Sequence, residues 1–225
     1  MRRYSLFGDP FQRLGLPRYN VVLEVQEPLS ALGLVQVDGK VLDLNNELVE
    51  NYNGSVWVRA FDSSEFSIIE GMRYRQDGAH IFRGLFPVES GRFGAQFRVP
   101  KDITYGGKQG RVSAFAWDDE GRTAFGDMEE LTLVGTAENI ESDIDGPTIR
   151  IGFAGNDLFV DGGTVVGDPI LKVVISDDSG INITGDTGHE IEMKIDDGES
   201  VKLTDYFNVM GGDYREGLLE YSLVG

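Results

Sequence analysis

Carboxylates set on turns, and two histidines, are the groups in this sequence that could do chemistry. They concentrate in Asp177-Asp178-Ser179-Gly180-Ile181-Asn182-Ile183-Thr184-Gly185-Asp186-Thr187-Gly188-His189, a run of turn-formers. Hard divalent cations take several oxygen ligands from carboxylates and carbonyls on tight turns. Asp143, Asp145, Asp161, Asp177, Asp178 and Asp186 are therefore the candidates for holding calcium. The spacing is not that of an EF-hand: in Asp177-Asp178-Ser179-Gly180 the glycine has the wrong offset and the closing glutamate is missing. Against calcium stands ordinary turn chemistry, in which Asp and Asn close their own turns and Gly supplies positive φ. Turn chemistry is the stronger reading, so no metal ligand and no cofactor is assigned.

Catalysis has little to build on. The chain has no cysteine, and no Gly-x-Ser-x-Gly elbow occurs for a serine nucleophile. His80 and His189 read as residues at strand ends. Gly106-Gly107-Lys108 lacks the Ser/Thr and the helix of a phosphate loop. Paired glycosidase carboxylates need a cleft that tunes their acidity, and no sequence feature marks one. Trp57, Trp117, Tyr52, Tyr74 and Tyr105 could form a sugar-stacking platform, but Trp57 and Trp117 lie in strand-like runs and read as core. No catalytic residue is assigned.

The elements that must carry these side chains read as short strands. Of 225 residues, 30 are glycine, well above the usual share of about 7%. Glycine-rich turns between short apolar runs indicate β structure. Phe93, Ala95, Phe97 and Val99 alternate with polar or small residues, the clearest period of two in the chain. Strands are expected over 19–26, 30–37, 41–44, 55–62, 80–88, 92–99, 111–117, 123–125 and 130–134. Asp38-Gly39 is expected to turn a hairpin, and Glu89-Ser90-Gly91 to turn another. The strand over 55–62 carries apolar residues on both faces, so it should be central and covered on both sides.

An acidic, aperiodic segment, 137–147, then separates a second set of runs over 148–153, 157–160, 170–176, 189–195, 201–203 and 218–224. One helical turn is expected near 205–210. The layout is 1–18 as an exit segment and linker, 19–136 as a first sandwich, 137–147 as a linker, and 148–225 as a second sandwich short of strands.

The net charge is −18, and most of it lies beyond residue 136. Residues 137–225 hold five Lys and Arg against nineteen Asp and Glu. Such a surface repels a phosphate backbone, which argues against nucleic acid as a partner. No run approaches the roughly 18 apolar residues of a membrane span, and Met1 to Pro10 lacks the apolar region of a signal peptide.

Several motifs resemble a known family. Leu6-Phe7-Gly8-Asp9-Pro10-Phe11-Gln12-Arg13-Leu14 is similar to the Leu-x-Gly-Asp-Pro-x-x-Arg-Leu signature that closes the catalytic domain of gingipain-like cysteine peptidases. Tyr52-Asn53-Gly54, Arg83-Gly84 with Phe86 and Val88, and Val99-Pro100-Lys101-Asp102-Ile103 resemble the region after that domain in PorU-type sortases of the type IX secretion system. Asp145-Gly146-Pro147, Gly162-Gly163, Asp168-Pro169, Asp178-Ser179-Gly180-Ile181-Asn182 and Gly188-His189-Glu190-Ile191 continue the likeness in order.

The resemblance implies a cell-surface protein of Bacteroidetes-type bacteria, associated with the outer membrane. Such proteins remove the sorting domain from secreted cargo and help attach that cargo to anionic lipopolysaccharide. The family's catalytic His and Cys precede the Gly-Asp-Pro turn, so this chain would be non-catalytic. It would form two tandem immunoglobulin-like β-sandwich domains, the second incomplete. The implied partners are an upstream peptidase domain and other type IX secretion and attachment proteins. The alternative is a calcium-stabilised carbohydrate-binding sandwich.

Overall fold

The computed structural model describes residues 15–104, 107–138, 144–155, 159–165, 167–185 and 189–223. The described residues are β-strands and loops with a single 3-10 turn. The first half contributes β1 (Tyr19–Val25), β2 (Leu29–Ala31), β3 (Leu34–Leu42), β4 (Gly54–Phe61), β5 (Glu65–Ile69), β6 (Met72–Gln76), β7 (His80–Val88), β8 (Arg92–Arg98), β9 (Gly107–Asp118) and β10 (Thr123–Thr136). The second contributes β11 (Thr148–Phe153), β12 (Ile170–Ser176), β13 (Glu192–Met193), β14 (Val201–Lys202), the 3-10 turn Thr204–Tyr206, β15 (Asn208–Val209) and β16 (Glu216–Ser222).

Period-two patterning produces an all-β sandwich. β7, β4, β9 and β10 are neighbours in one layer, and β1, β3 and β8 continue from β10 into the facing layer. β10 joins the layers because it pairs with β9 along its length, with β1 at its start and with β2 at its end. Val56, Val58 and Ala60 of β4 and Val112, Ala114 and Ala116 of β9 are fully buried, in one cluster with Val35, Val37, Val41, Phe93, Ala95 and Phe97. Phe82 of β7 stacks on Phe97 of β8 at 4.6 Å between ring centroids, which fastens one layer to the other.

The turn at Ser90-Gly91 behaves as expected. Both residues have positive φ, 50° and 70°, and Glu89 and Arg92 exchange both backbone hydrogen bonds. Such primed turns match the twist of the strands that they join. β7 and β8 then diverge, β7 to pair with β4 and β8 with β3.

Three strand expectations need correction. Asp38-Gly39 does not turn; both residues lie inside β3. Gly39 is paired with Phe93 across β3 and β8, and a Cβ there would sit 2.1 Å from Phe93 Cζ. The glycine makes room for an aromatic ring, and long pairing on both edges holds the strand extended. Residues 123–136 form one strand rather than two. Its register shifts between Met128 and Leu131, and Glu130 adopts φ 60°, so a bulge rather than a loop interrupts the pattern. The outer face of β4 is also not covered: Trp57 is half-buried and Arg59 exposed, although β4 is central in its layer.

The hairpin β5–β6 is not among the expected strands. It forms a separate two-stranded sheet whose side chains face solvent on both sides.

In the second half β11, β12, β16 and β15 are neighbours in that order. Leu171, Val173 and Ile175 of β12 and Leu219 of β16 point to a core shared with Ile183, Leu203 and Phe207. β13 and β14 are two residues each, shorter than the runs 189–195 and 201–203 suggest. The expected strand over 157–160 lies partly outside the described residues, and Phe159 and Val160 are not in a strand.

The strand ladder continues from one half to the other. Val209 of β15 pairs in parallel with Gly84 of β7, so the edge of the first layer is extended by the second half.

Candidate functional site

The carboxylates singled out by sequence are only partly assembled. Asp145, Asp177 and Asp178 line one cleft of about 350 Å³ together with Thr148, Ser176, Asp213, Arg215 and Glu216. Asp161 is not among its lining residues. Asp143 and Asp186 lie outside the described residues. Asp213, Arg215 and Glu216 were not evident from the sequence. Their signal is positional, since they immediately precede or open β16, which pairs with β12 next to Asp177.

Local hydrogen bonding explains much of this cluster. Asp177 Oδ1 accepts the Ser179 N–H at 2.8 Å, closing its own turn. The Asp177 N–H donates to the Arg215 carbonyl at 2.9 Å, which ties the loop to β16. Arg215 Nη2 lies 2.7 Å from Asp213 Oδ2, and Arg150 Nη2 lies 2.8 Å from Glu216 Oε2. The Arg215 side chain holds the Asp213 carboxyl below its ordinary range, and Asp213 raises the Arg215 guanidinium in turn. Among the described residues no three His, Asp or Glu side chains converge as a metal's ligands would. The cleft is an acidic surface with arginines set into it.

The histidines occupy unlike places. His80 opens β7 and packs its ring 4.6 Å from that of Phe61. Burial, and then the nearby Arg83 and Arg59, push its pKa down. His189 Nε2 lies 2.8 Å from Asp102 Oδ2, an ion pair when the imidazole is protonated. That contact joins the loop after β12 to the connection between β8 and β9, and so spans the two halves.

The aromatic residues divide into core and surface. Tyr52 is fully buried and donates its hydroxyl to the Arg122 carbonyl at 2.9 Å. Trp57, Phe115 and Phe125 form a row across β4, β9 and β10 on the outer face. Phe115 and Phe125 are each 40% exposed, Trp57 and Trp117 are half-buried, and Arg59 sits 5.9 Å over the Trp57 ring. Trp57 and Trp117 are thus surface-layer residues, not core. Tyr74 is exposed on β6, and Tyr105 lies outside the described residues.

The most constrained polar group at the junction is Arg83. It stands within the apolar run His80–Val88, and a charged residue there is the signal that the sequence offers. Its guanidinium is buried and donates to the carbonyls of Thr204 and Phe207 in the second half.

No protein-family model matches the sequence, nor does any curated protein. The class that the fold defines is an all-β sandwich in which the two halves of this chain share a continuous ladder. The particular likeness is to PorU from Porphyromonas gingivalis, in a structure of its dimeric latent form, at 26% identity and a TM-score of 0.59. That match covers 96% of this chain and 22% of the PorU chain. This chain therefore has a PorU-like fold and spans about a fifth of that protein's length. Spo0M, a sporulation control protein from Bacillus subtilis, matches over 92% of this chain and 91% of its own at 12% identity, but its TM-score of 0.36 carries no weight.

Proposed function

We propose that this chain is a non-catalytic scaffold and interaction region of a PorU-like cell-surface sortase that processes and attaches type IX secretion cargo. The observation that supports this reading is the PorU match, which takes in nearly all of this chain and a small part of the other. The ordered sequence motifs agree with it. On this reading residues 1–18 are the end of a peptidase domain and its linker. Residues 19–136 and 148–225 are then tandem immunoglobulin-like sandwiches joined by 137–147. The partners are the upstream peptidase domain and other type IX secretion and attachment proteins, at the outer membrane surface. No described helix is long and apolar enough to cross a membrane.

The test is an assay of this chain, alone and added to a complete sortase, with a cargo sorting domain as substrate. The chain alone is expected to give no cleavage and, in excess, to compete for the sortase's assembly partners. Turnover by the chain alone overturns the reading.

The aromatic row Trp57, Phe115 and Phe125 favours a second reading, a carbohydrate-binding module. Calorimetric titration with polysaccharides, with and without calcium, separates the two. Saturable heat that is lost in Trp57→Ala supports the module, and absence of heat removes it.

A further inference from the structure

Ile149 and Ile151 of β11 stand directly opposite Ile175 and Val173 of β12. Opposed residues of an antiparallel pair share a face, so all four point toward the core of the second half. Ile175 and Val173 are 4% and 8% exposed, whereas Ile149 and Ile151 are 58% and 62% exposed. The core face is therefore uncovered where it reaches β11. β11 is also the last strand of the sheet order, and no described strand pairs with its outer edge. Edge strands are usually blunted by charge, proline or a bulge because free N–H and C=O groups recruit another strand. β11 carries one charge, Arg150, and pairs with β12 without a bulge along its six residues.

The surroundings specify what fits. On the core face a cleft of about 440 Å³ opens beside Ile149, lined by Ile175, Ile181 and Ile191, with Glu190 and Glu192 also in its lining. On the opposite face Thr148, Ser176 and Glu216 form a cross-strand row, joined by Asp145 and Asp178, and Arg150 of β11 shares that face and pairs with Glu216. A strand laid along β11 would thus meet apolar surface with one set of alternate side chains and, with the other, carboxylates at the Thr148 end and the Arg150 guanidinium beyond it.

We propose that the outer edge of β11 accepts an extended segment of another polypeptide in which apolar residues alternate with polar ones, the polar residue at the Thr148 end being basic. Main-chain bonds to the edge give affinity, and the two side-chain sets give specificity. A second copy of this chain fits less well, because residues 137–225 carry nineteen acidic against five basic residues and would face their like. The inference stands on the geometry of β11 and does not depend on the proposed sortase role.

The probe is a phage-displayed library of random peptides about ten residues long, the reach of strand addition to such an edge, selected on the full chain. Selected peptides are expected to alternate apolar with polar residues and to carry Lys or Arg at the polar position nearest Thr148. One of them, synthesised with a fluorophore, is expected to bind about tenfold more weakly to Ile149→Thr/Ile151→Thr, which removes two apolar contacts. Asp145→Asn/Asp178→Asn is expected to weaken it further, and to do so only at low salt. Both pairs are on the surface, so circular dichroism should be unchanged. Binding should slow amide exchange over Thr148–Phe153. Selection without period two, affinity unchanged in the isoleucine variant, or protection elsewhere overturns the proposal. Sedimentation that shows dimers with β11 protected assigns the edge to a second copy and likewise overturns it.

Discussion

Arg83 donates through both Nε and Nη2 to the carbonyl oxygen of Phe207, at 3.0 and 2.9 Å, across 124 positions of sequence. Nη2 also reaches the Thr204 carbonyl at 2.8 Å. Burial pushes the guanidinium pKa down, and the nearby Asp205 acts against that. A buried cation held by carbonyl groups is a specific fastener, because its donors have fixed directions and no water replaces a lost partner. With the Val209–Gly84 pairing and the His189–Asp102 contact, it fixes how the second half sits on β7.

Replacing Arg83 by Met keeps much of the packing but takes both Arg83 donors from the Phe207 carbonyl and one donor from that of Thr204, which retains the Phe207 N–H. The expected loss is about 2–4 kcal/mol, the range for breaking buried hydrogen bonds to a charged group. Urea unfolding followed by far-UV circular dichroism measures it. A loss under about 0.5 kcal/mol, typical of surface sites, would show that the fastener is ornamental.

Gly39→Val brings side-chain atoms against the Phe93 ring, where even a Cβ lies 2.1 Å from Cζ. Overpacking of this kind costs about 1–3 kcal/mol. In a double-mutant cycle with Phe93→Ala the two losses should fall short of additivity, because removal of the ring relieves the clash. Strict additivity would contradict the contact.

Acid acts on two named groups in the same direction. Asp213 is held below its ordinary value of 3.8 by Arg215, so the unfolded chain takes up its proton first as pH falls. The stabilisation is complete above the unfolded value and is lost through the lower, folded one. His80 is depressed below 6.5 by burial and neighbouring arginines, and its contribution too is complete above 6.5 and declines as pH falls through the lowered value. The stability gap between the parent and His80→Gln should therefore narrow from pH 7 to pH 5, and that for Asp213→Asn should narrow only below pH 4. Denaturant midpoints across that range decide it, and a pH-independent gap refutes the assignment.

The β5–β6 hairpin exposes Phe66, Ile68, Ile69, Met72 and Tyr74, with Ile68 at 75%. Ile68→Ser/Ile69→Ser is expected to change thermal stability by less than about 0.5 kcal/mol, as for other surface sites. A larger loss in a melting curve would mean that the hairpin packs on the sandwich.

Short apolar runs were legible in the sequence: 80–88, 148–153 and 170–176 match β7, β11 and β12 residue for residue, although burial alternates only in β12, β7 being largely buried and β11 largely exposed. Asp38-Gly39 misled because turn propensity is local, whereas Gly39 answers to Phe93 some fifty residues away. Residues 65–76 do alternate, with Phe66 and Ile68 and then Met72 and Tyr74 set between polar residues, but no burial backs the pattern, since the hairpin faces solvent on both sides. At the acidic cleft, Asp145, Asp177 and Asp178 could be named in advance. That Asp213 and Glu216 join them depends on β12–β16 pairing, which no local pattern encodes. Arg83 was visible as an arginine in an apolar run, but its partners lie in the other half of the chain.

The pairing of β15 with β7 also sets an order of events in time. β15 has two residues and meets a strand about 125 positions earlier, so closing that loop gains little until β7 is already a stable edge. The first half is then a template, and the second half condenses on it. Both tryptophans, Trp57 and Trp117, lie in the first half. In refolding, their fluorescence should recover before the far-UV signal is complete, and simultaneous recovery would show that the halves form as one unit.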